Sequence, residues 1–310
     1  PIAVIGATGK VGRHAVEQLV EQGHKVRCLV RHDPSTAQPK AGQDASGAEV
    51  AAYLAAMPGV ELVRGDVTDR QGVMDVMSGC SAVLAVYGAT RRTALTDVLP
   101  WVDDTEEPGH AKQVNYEGVR NIIEAALASG TCKRIVRITG KGETPFQPLS
   151  ILINGLGSMA KAWNQEGERL LRGCKDIDYT IIRPGLMADV DARLETMGED
   201  GADLALGDNG ADLKVTAIPH RSVADLCIRS LDFPNAARTT LCAMTVPKGE
   251  GKESWEPLLA QVAADTREFP GVELLENHYL AVRVGGLVLS GFVAGFLVGG
   301  FNLVSSMLSS

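Results

Sequence analysis

Three glycines at a spacing of three, in Gly6-Ala7-Thr8-Gly9-Lys10-Val11-Gly12, follow the apolar run Ile2–Ile5 and open a segment that sets Val11, Ala15, Leu19 and Val20 on one helical face. Glycines between a strand and a helix have separate tasks. One permits the tight turn, one lets backbone approach a pyrophosphate, and one allows helix and strand to pack closely. The helix start beyond them offers unpaired N–H groups and the positive end of the helix dipole to phosphate oxygens. The pattern predicts a dinucleotide held by Gly6, Thr8, Gly9, Lys10, Val11 and Gly12, and its strand–loop–helix context lifts it above a chance glycine triplet in a plain turn. About twenty residues on, where an acid would hold a ribose 2′-hydroxyl, stand Arg31 and His32, with Asp33 after them. A guanidinium there suits a 2′-phosphate, so NADP(H) is favoured over NAD(H), with Lys10 and Arg13 able to add positive charge.

Such a loop needs alternating strands and helices to carry it. Apolar runs at Ile2–Ile5, Lys25–Val30, Val60–Val63, Ala82–Val86, Lys133–Thr139, Tyr179–Arg183 and Thr240–Val246 read as strands. Helical patterns read between them, ending near Gly23, then over Ala48–Met57, Asp69–Met77, Val114–Ala128, Met159–Arg172, Ser222–Leu231 and Trp255–Ala264. This alternation predicts an α/β fold, a Rossmann-like doubly wound parallel sheet covered on both faces. The expected organisation is a binding domain over 1–272 (core 1–140, substrate-side region 141–272), a linker over 273–281 and a membrane-spanning helix over 282–308.

The 310 residues are 45% hydrophobic and carry a net charge of −8, which excludes a disordered chain and argues against nucleic acid as a partner. Six scattered cysteines form no CxxC pair, and the histidines have no metal-ligand spacing, so no metal is expected. Pro1 stands where an initiator Met would, which points to a processed or trimmed N-terminus.

Val284–Phe301 is eighteen residues without a charge, about 27 Å as a helix and close to the thickness of a hydrocarbon layer. Arg283 stands before it, and Gly291, Gly295 and Gly299 fall on one face. Glycines this frequent weaken a helix in water but let helices approach in a bilayer. The segment is therefore expected to span a lipid bilayer, with its glycine face against a membrane protein complex.

The segments "AVIGATGKVGRHAVEQLVEQGHKVRCLVR", "LVRGDVTD", "VNYEGVRNIIEAALASG", "RIVRITG" and "DYTIIRPG" together resemble the atypical short-chain dehydrogenase/reductase group, near its NmrA-like and plastid NAD(P)-binding branches. The resemblance implies that Asp66 and Val67 lie beside the adenine and that Val86, Tyr87 and Gly88 line the ribose side. It places Asn115 at the start of the central helix, Thr139 where active members carry a catalytic serine, and Pro184 and Gly185 near the nicotinamide. Active members use Tyr-x-x-x-Lys, the lysine lowering the pKa of the tyrosine that donates the proton. Lys161 keeps the lysine, but Gly157 occupies the tyrosine's place. Lys161 and Thr139 thus remain the candidate catalytic residues, and Lys161 a candidate ribose contact, without the usual acid.

Three functions follow as expectations. The first is an NADP(H)-binding accessory or assembly subunit of a membrane complex with weak or no dehydrogenase activity. The resemblance places it at the plastid thylakoid with its domain in the stroma and a photosystem as host, or else at the mitochondrial inner membrane with respiratory complex I. The second is an NADPH-dependent reductase of a lipophilic quinone, isoprenoid or pigment precursor. The third is an NADP-sensing regulator.

Overall fold

Short apolar runs become strands buried along their whole length at the centre of a sheet. In the computed structural model, which describes residues 1–42, 44–94, 103–188 and 202–286, β1 (Ile2–Ile5) and β4 (Ala82–Ala85) are buried at every position. β5 (Arg134–Ile138) and β6 (Asp178–Pro184) are buried at all but the first. β2 (Val26–Val30) is nearly so, while the edge strand β3 (Val60–Arg64) has no buried residue. Continuous burial is what a parallel sheet covered on both faces demands. Two more strands, β8 (Ala202–Gly207) and β10 (Thr239–Pro247), complete eight in the order β3-β2-β1-β4-β5-β6-β10-β8, all parallel except β8 against β10. A separate parallel pair joins β7 (Leu186–Ala188) to β9 (Ala217–Pro219).

The helices cover both faces. One carries α1 (Lys10–Glu21), α2 (Gly47–Ala55) and α7 (His220–Arg229); the other carries α3 (Arg70–Met77), α4 (Gly118–Ser129) and α6 (Ala160–Gly173). The chain runs outward from β1 to β3 and returns through β4, so the direction of winding reverses between β1 and β4. A crevice opens at the carboxyl ends of the strands where such a reversal occurs. This is the expected Rossmann-like α/β architecture. The six cysteines are free, five of them buried.

Several segments differ from expectation. Trp255–Ala264 is helical only over α8 (Glu256–Leu259). Beyond it the Asp265 carboxylate accepts from the Thr240 N–H at 2.8 Å and the Thr240 hydroxyl at 2.6 Å, and draws the chain along β10. An unexpected helix, α5 (Pro148–Leu156), precedes α6. Residues 273–281, expected as a linker, belong to a helix over 273–286, here α9. Leu274, His278, Ala281 and Val282 are its buried face, a spacing that matches one side of a helix. Among the described residues no helix is long and apolar enough to cross a membrane. Of the expected span 282–308, residues 287–308 lie outside the described residues.

His278 locks α9 down. Its Nε2 donates to the Gly142 carbonyl at 2.7 Å, which leaves Nδ1 to accept from Asn154 Nδ2 at 2.9 Å. Burial lowers its pKa and Lys161 lowers it further, against the opposing pull of the Gly142 bond. An unfolded histidine titrates near about 6.5, so as pH falls the unfolded chain takes up this proton first. The native state then loses stability progressively below that value and is unaffected above it. Thermal denaturation between pH 7.5 and 5.5 is expected to show this decline, and His278→Gln, which keeps a donor for Gly142, is expected to flatten it.

Candidate functional site

The crevice is built first from missing side chains. Gly6 has φ +94°, and a Cβ there would lie 2.9 Å from the Val86 carbonyl oxygen and from Tyr87 Cβ. At Gly12 a Cβ would sit 2.0 Å from the Gly6 carbonyl oxygen. The loop is drawn tight by the Gly9 N–H donating to Gly6 O at 3.0 Å. Gly9 starts α1 with no side-chain cap, so the first turn of the helix faces the crevice without an intramolecular acceptor from that residue. The resulting cavity of about 530 Å³ is lined by Gly6, Thr8, Gly9, Arg31, Asp66, Val67, Val86, Tyr87 and Gly88 among others. Lys10, Val11 and Gly12 lie just behind in α1, with Val11 buried. This backbone cradle fits the pyrophosphate of a dinucleotide.

At the end of β2, Arg31, His32 and Asp33 take separate places. The Asp33 carboxylate accepts from Ser35 N at 2.9 Å and Ser35 Oγ at 2.7 Å, so it caps its own turn and does not line the cavity. The Arg31 side chain is 65% exposed at the rim, 3.8 Å from Asp66. His32, also on the rim, packs against the start of α2, where a Cβ at Gly47 would come within 2.6 Å of its ring. Arg13 is turned to another task and donates to the Gly42 carbonyl at 3.0 Å, tethering the insertion that carries α2. Asp66 accepts from Thr68 N at 3.0 Å, and the Val67 carbonyl accepts from Asn121 at 2.9 Å.

Against Tyr87 lies an arginine that the strand pattern hid. Arg137 of β5 is fully buried, with its guanidinium 4.1 Å from the Tyr87 ring centre. It donates to the carbonyls of Ala85 at 3.1 Å and Tyr87 at 2.5 Å and to Asn164 at 3.0 Å. It thereby fixes the backbone that leads from β4 into the cavity wall. The buried Tyr87 hydroxyl has no hydrogen-bond partner among the described residues, and burial raises its pKa. Asn115, on a π-helical turn over Lys112–Glu117, accepts from Ala89 N at 3.0 Å and donates to Ala160 O at 3.2 Å. Its carbonyl bulges toward α6, where a Cβ on Gly167 would be 2.3 Å away.

The expected reaction end is organised differently. Asn115, Thr139, Lys161 and Pro184 do not line the cavity. The Thr139 hydroxyl donates to the Glu168 carboxylate at 2.5 Å. Glu168 is fully buried; burial alone would raise its pKa, but Arg183 and Arg172 outweigh this and hold it at about 2. A carboxylate held ionised by two guanidiniums supplies no proton. Lys161 Nζ donates to Ser150 Oγ at 2.7 Å, and its pKa is lowered by burial and by Lys141. Gly157 has no side chain to offer, and its surroundings are strapped. Thr93 N donates to the Leu156 carbonyl at 3.0 Å, Ser158 N donates to Thr93 Oγ1 at 2.7 Å, and Arg91 donates to Ser158 Oγ at 2.7 Å. Pro184 ends β6, and Gly185 N donates to the Ala243 carbonyl at 2.9 Å.

A family model described as NAD(P)H-binding matches residues 6–234. The chain is 26% identical over 203 residues to the pea (Pisum sativum) Protein TIC 62, chloroplastic, covering 63% of this chain and 34% of that protein. It is 24% identical over 241 residues to the Photosystem II assembly factor Ycf39 of Synechocystis sp., covering 77% of this chain and 60% of that one. It therefore spans less than two thirds of either relative. A short-chain dehydrogenase/reductase from Veillonella parvula, solved in complex with NADP, aligns at a TM-score of 0.56 and 12% identity over 82% of this chain and 97% of that chain. That likeness is one of fold.

Gly12→Ala forces a methyl group into the Gly6 carbonyl, whereas Gly173→Ala on α6 meets nothing within 4 Å. Calorimetric titration with NADPH is expected to show a loss of about tenfold or more in affinity for the first, about 1.4 kcal/mol, with a lowered melting temperature. The second is expected to behave as the parent.

Proposed function

The chain belongs to the NAD(P)H-binding family, and from that premise we propose that it is an NADP(H)-binding accessory or assembly subunit held at a plastid membrane, with weak or no dehydrogenase activity. One contrast carries the reading. The glycine cradle and the Arg31 rim are complete, while Thr139 is bonded to Glu168 and Gly157 has no acid to offer. When bound, the nicotinamide would supply or accept a hydride. This chain's own residues hold the phosphates through α1, meet the 2′-phosphate with Arg31 and enclose the ribose side with Val86, Tyr87 and Gly88. A relative named as chloroplastic and another named as a photosystem II assembly factor support a plastid setting and an assembly role. The uncharged run Val284–Phe301 supports a single membrane anchor. In this reading its Gly291, Gly295 and Gly299 face meets a helix of the host complex, with a photosystem favoured over respiratory complex I and the domain in the stroma.

A second reading, a reductase of a lipophilic substrate, draws on Lys161. Its bond to Ser150 holds the amino group near the expected reaction end, and its lowered pKa makes its proton easier to give up. Sustained NADPH oxidation with a quinone, lost in Lys161→Ala, would establish this reading in place of the first. Regulation by NADP requires unequal affinity for the oxidised and reduced forms, since equal affinity shifts nothing.

The cofactor preference is tested at the rim. Arg31→Ala is expected to weaken NADPH by about tenfold, the loss of one exposed charge-assisted phosphate contact, and to leave NADH unchanged. A parallel loss for both cofactors in calorimetric titration would remove Arg31 as the phosphate ligand.

A further inference from the structure

Helix α5 is built inside out. Its polar residues Ser150 and Asn154 are buried, at 0% and 1% exposure. Ser150 accepts from Lys161 Nζ, and Asn154 Oδ1 accepts from Lys161 N at 3.0 Å and Ala162 N at 3.1 Å. Its large apolar residues point the other way: Leu149, Leu152, Ile153 and Leu156 are all exposed, Leu156 at 65%, and Phe146 just before the helix is exposed too. The spacing of three, four and seven gathers them on one side. A surface helix in water has the opposite polarity, and an exposed apolar face this continuous marks an interaction surface.

The neighbouring helix extends the face. α9 lies antiparallel beside α5: a Cβ at Gly285 would lie 2.8 Å from Ile151, a Cβ at Gly155 4.0 Å from Val282, and His278 bonds Asn154. α9 adds exposed Leu280 and Val284. Seven of the twelve exposed large apolar side chains among the described residues thus sit at these two helices, which sets the face apart from scattered surface leucines. No residue from 144 to 160 is charged. Two exposed arginines stand at its margin: Arg283 on α9, and Arg92 beside Thr93, whose N–H donates to the Leu156 carbonyl.

We propose that the exposed face of α5, with Leu280 and Val284 of α9, is a membrane-contact surface that rests in the headgroup region of a lipid bilayer. The inference rests on the membrane anchoring proposed above, and two observations favour lipid as the occupant. α9 runs directly into the uncharged segment that begins at Val284, so the face lies where the chain would meet the bilayer. Its margin carries arginines, whose stems follow apolar surface while their heads reach phosphates, and its centre carries no acid. A helix seated this way immerses its apolar side by about 5–10 Å. Because α5 follows β5 at the carboxyl end of the sheet, the same end as the glycine loop, the contact turns that end of the domain toward the membrane.

The test uses the full chain bearing an environment-sensitive fluorophore on Leu152→Cys, or on Leu127→Cys of α4 as an exposed apolar control, with labelling of the parent chain measured for background. Vesicles contain phosphatidylcholine and phosphatidylglycerol, with or without lipids brominated near the glycerol end of the acyl chain. The expected result is a blue shift on vesicle addition and about two-fold quenching by brominated lipid at Leu152, with neither at Leu127. Co-flotation with vesicles but no shift or quenching at Leu152 overturns the contact face and leaves the anchor standing. Failure to co-float overturns both. A Leu152 probe already blue-shifted without vesicles and insensitive to bromine overturns the proposal in favour of a second copy or the chain's own C-terminal segment as the occupant.

Discussion

The buried carboxylate of Glu168 organises the carboxyl end of the sheet. It receives Arg183 at 2.5 and 3.0 Å, Arg172 at 2.6 Å and the Thr139 hydroxyl at 2.5 Å. Arg183 also reaches Glu143 at 2.7 Å, which binds Arg267 at 2.5 Å. The Phe269 ring lies 3.6 Å from the Arg172 guanidinium and 4.1 Å from that of Arg267. One network therefore joins α6, β6, the loop after β5 and the segment leading into α9. Charges this deep persist only when every partner is present, because the desolvation of an unpaired member is not recovered elsewhere.

That completeness has a chemical consequence. The Thr139 proton is committed to Glu168, and Glu168 is held ionised. The half of the crevice end around Thr139 is thus filled and internally satisfied. The other half is made in the opposite way, by omission. Gly6 and Gly12 leave out atoms that would strike Val86, Tyr87 and the loop backbone, so that loop and helix pack closely, and Gly9 starts α1 without a capping side chain. An open glycine-built crevice beside a filled and internally satisfied ion network is the sum of these two constructions.

The legible part of the molecule is the part fixed locally. Ile2–Ile5 and Ala82–Ala85 are continuous apolar runs because both sheet faces are covered, and the glycine spacing announces itself because no other residue type fits it. What stayed hidden depends on distant partners. The helix AKAWNQEGERLLRG reads as a solvated charged helix, yet Gln165, Glu166 and Glu168 are buried, since their arginine and threonine partners come from other elements or later turns. Arg137 in the run RIVRI could have been noticed as a cation in an otherwise apolar strand. β8 is made a strand by antiparallel pairing with β10 across more than thirty residues. The apolar residues of α5 have helical spacing, but the side that the helix buries carries Ser150 and Asn154 instead.

α9 could pass for a linker for a different reason. Its buried face is short, and the residue that fixes it, His278, is polar. The bond from Asn154 to His278 makes α9 part of the cap on α6, because the other end of the Asn154 amide accepts the N–H groups of Lys161 and Ala162. Displacing α9 therefore strips Asn154 of its acceptor and Gly142 of its donor together, and loosens the turn that carries Lys161. The segment that leads toward the uncharged C-terminal run and the helix that holds the candidate lysine share a single amide. The placement of α9 and the geometry around Lys161 are mechanically one problem, not two.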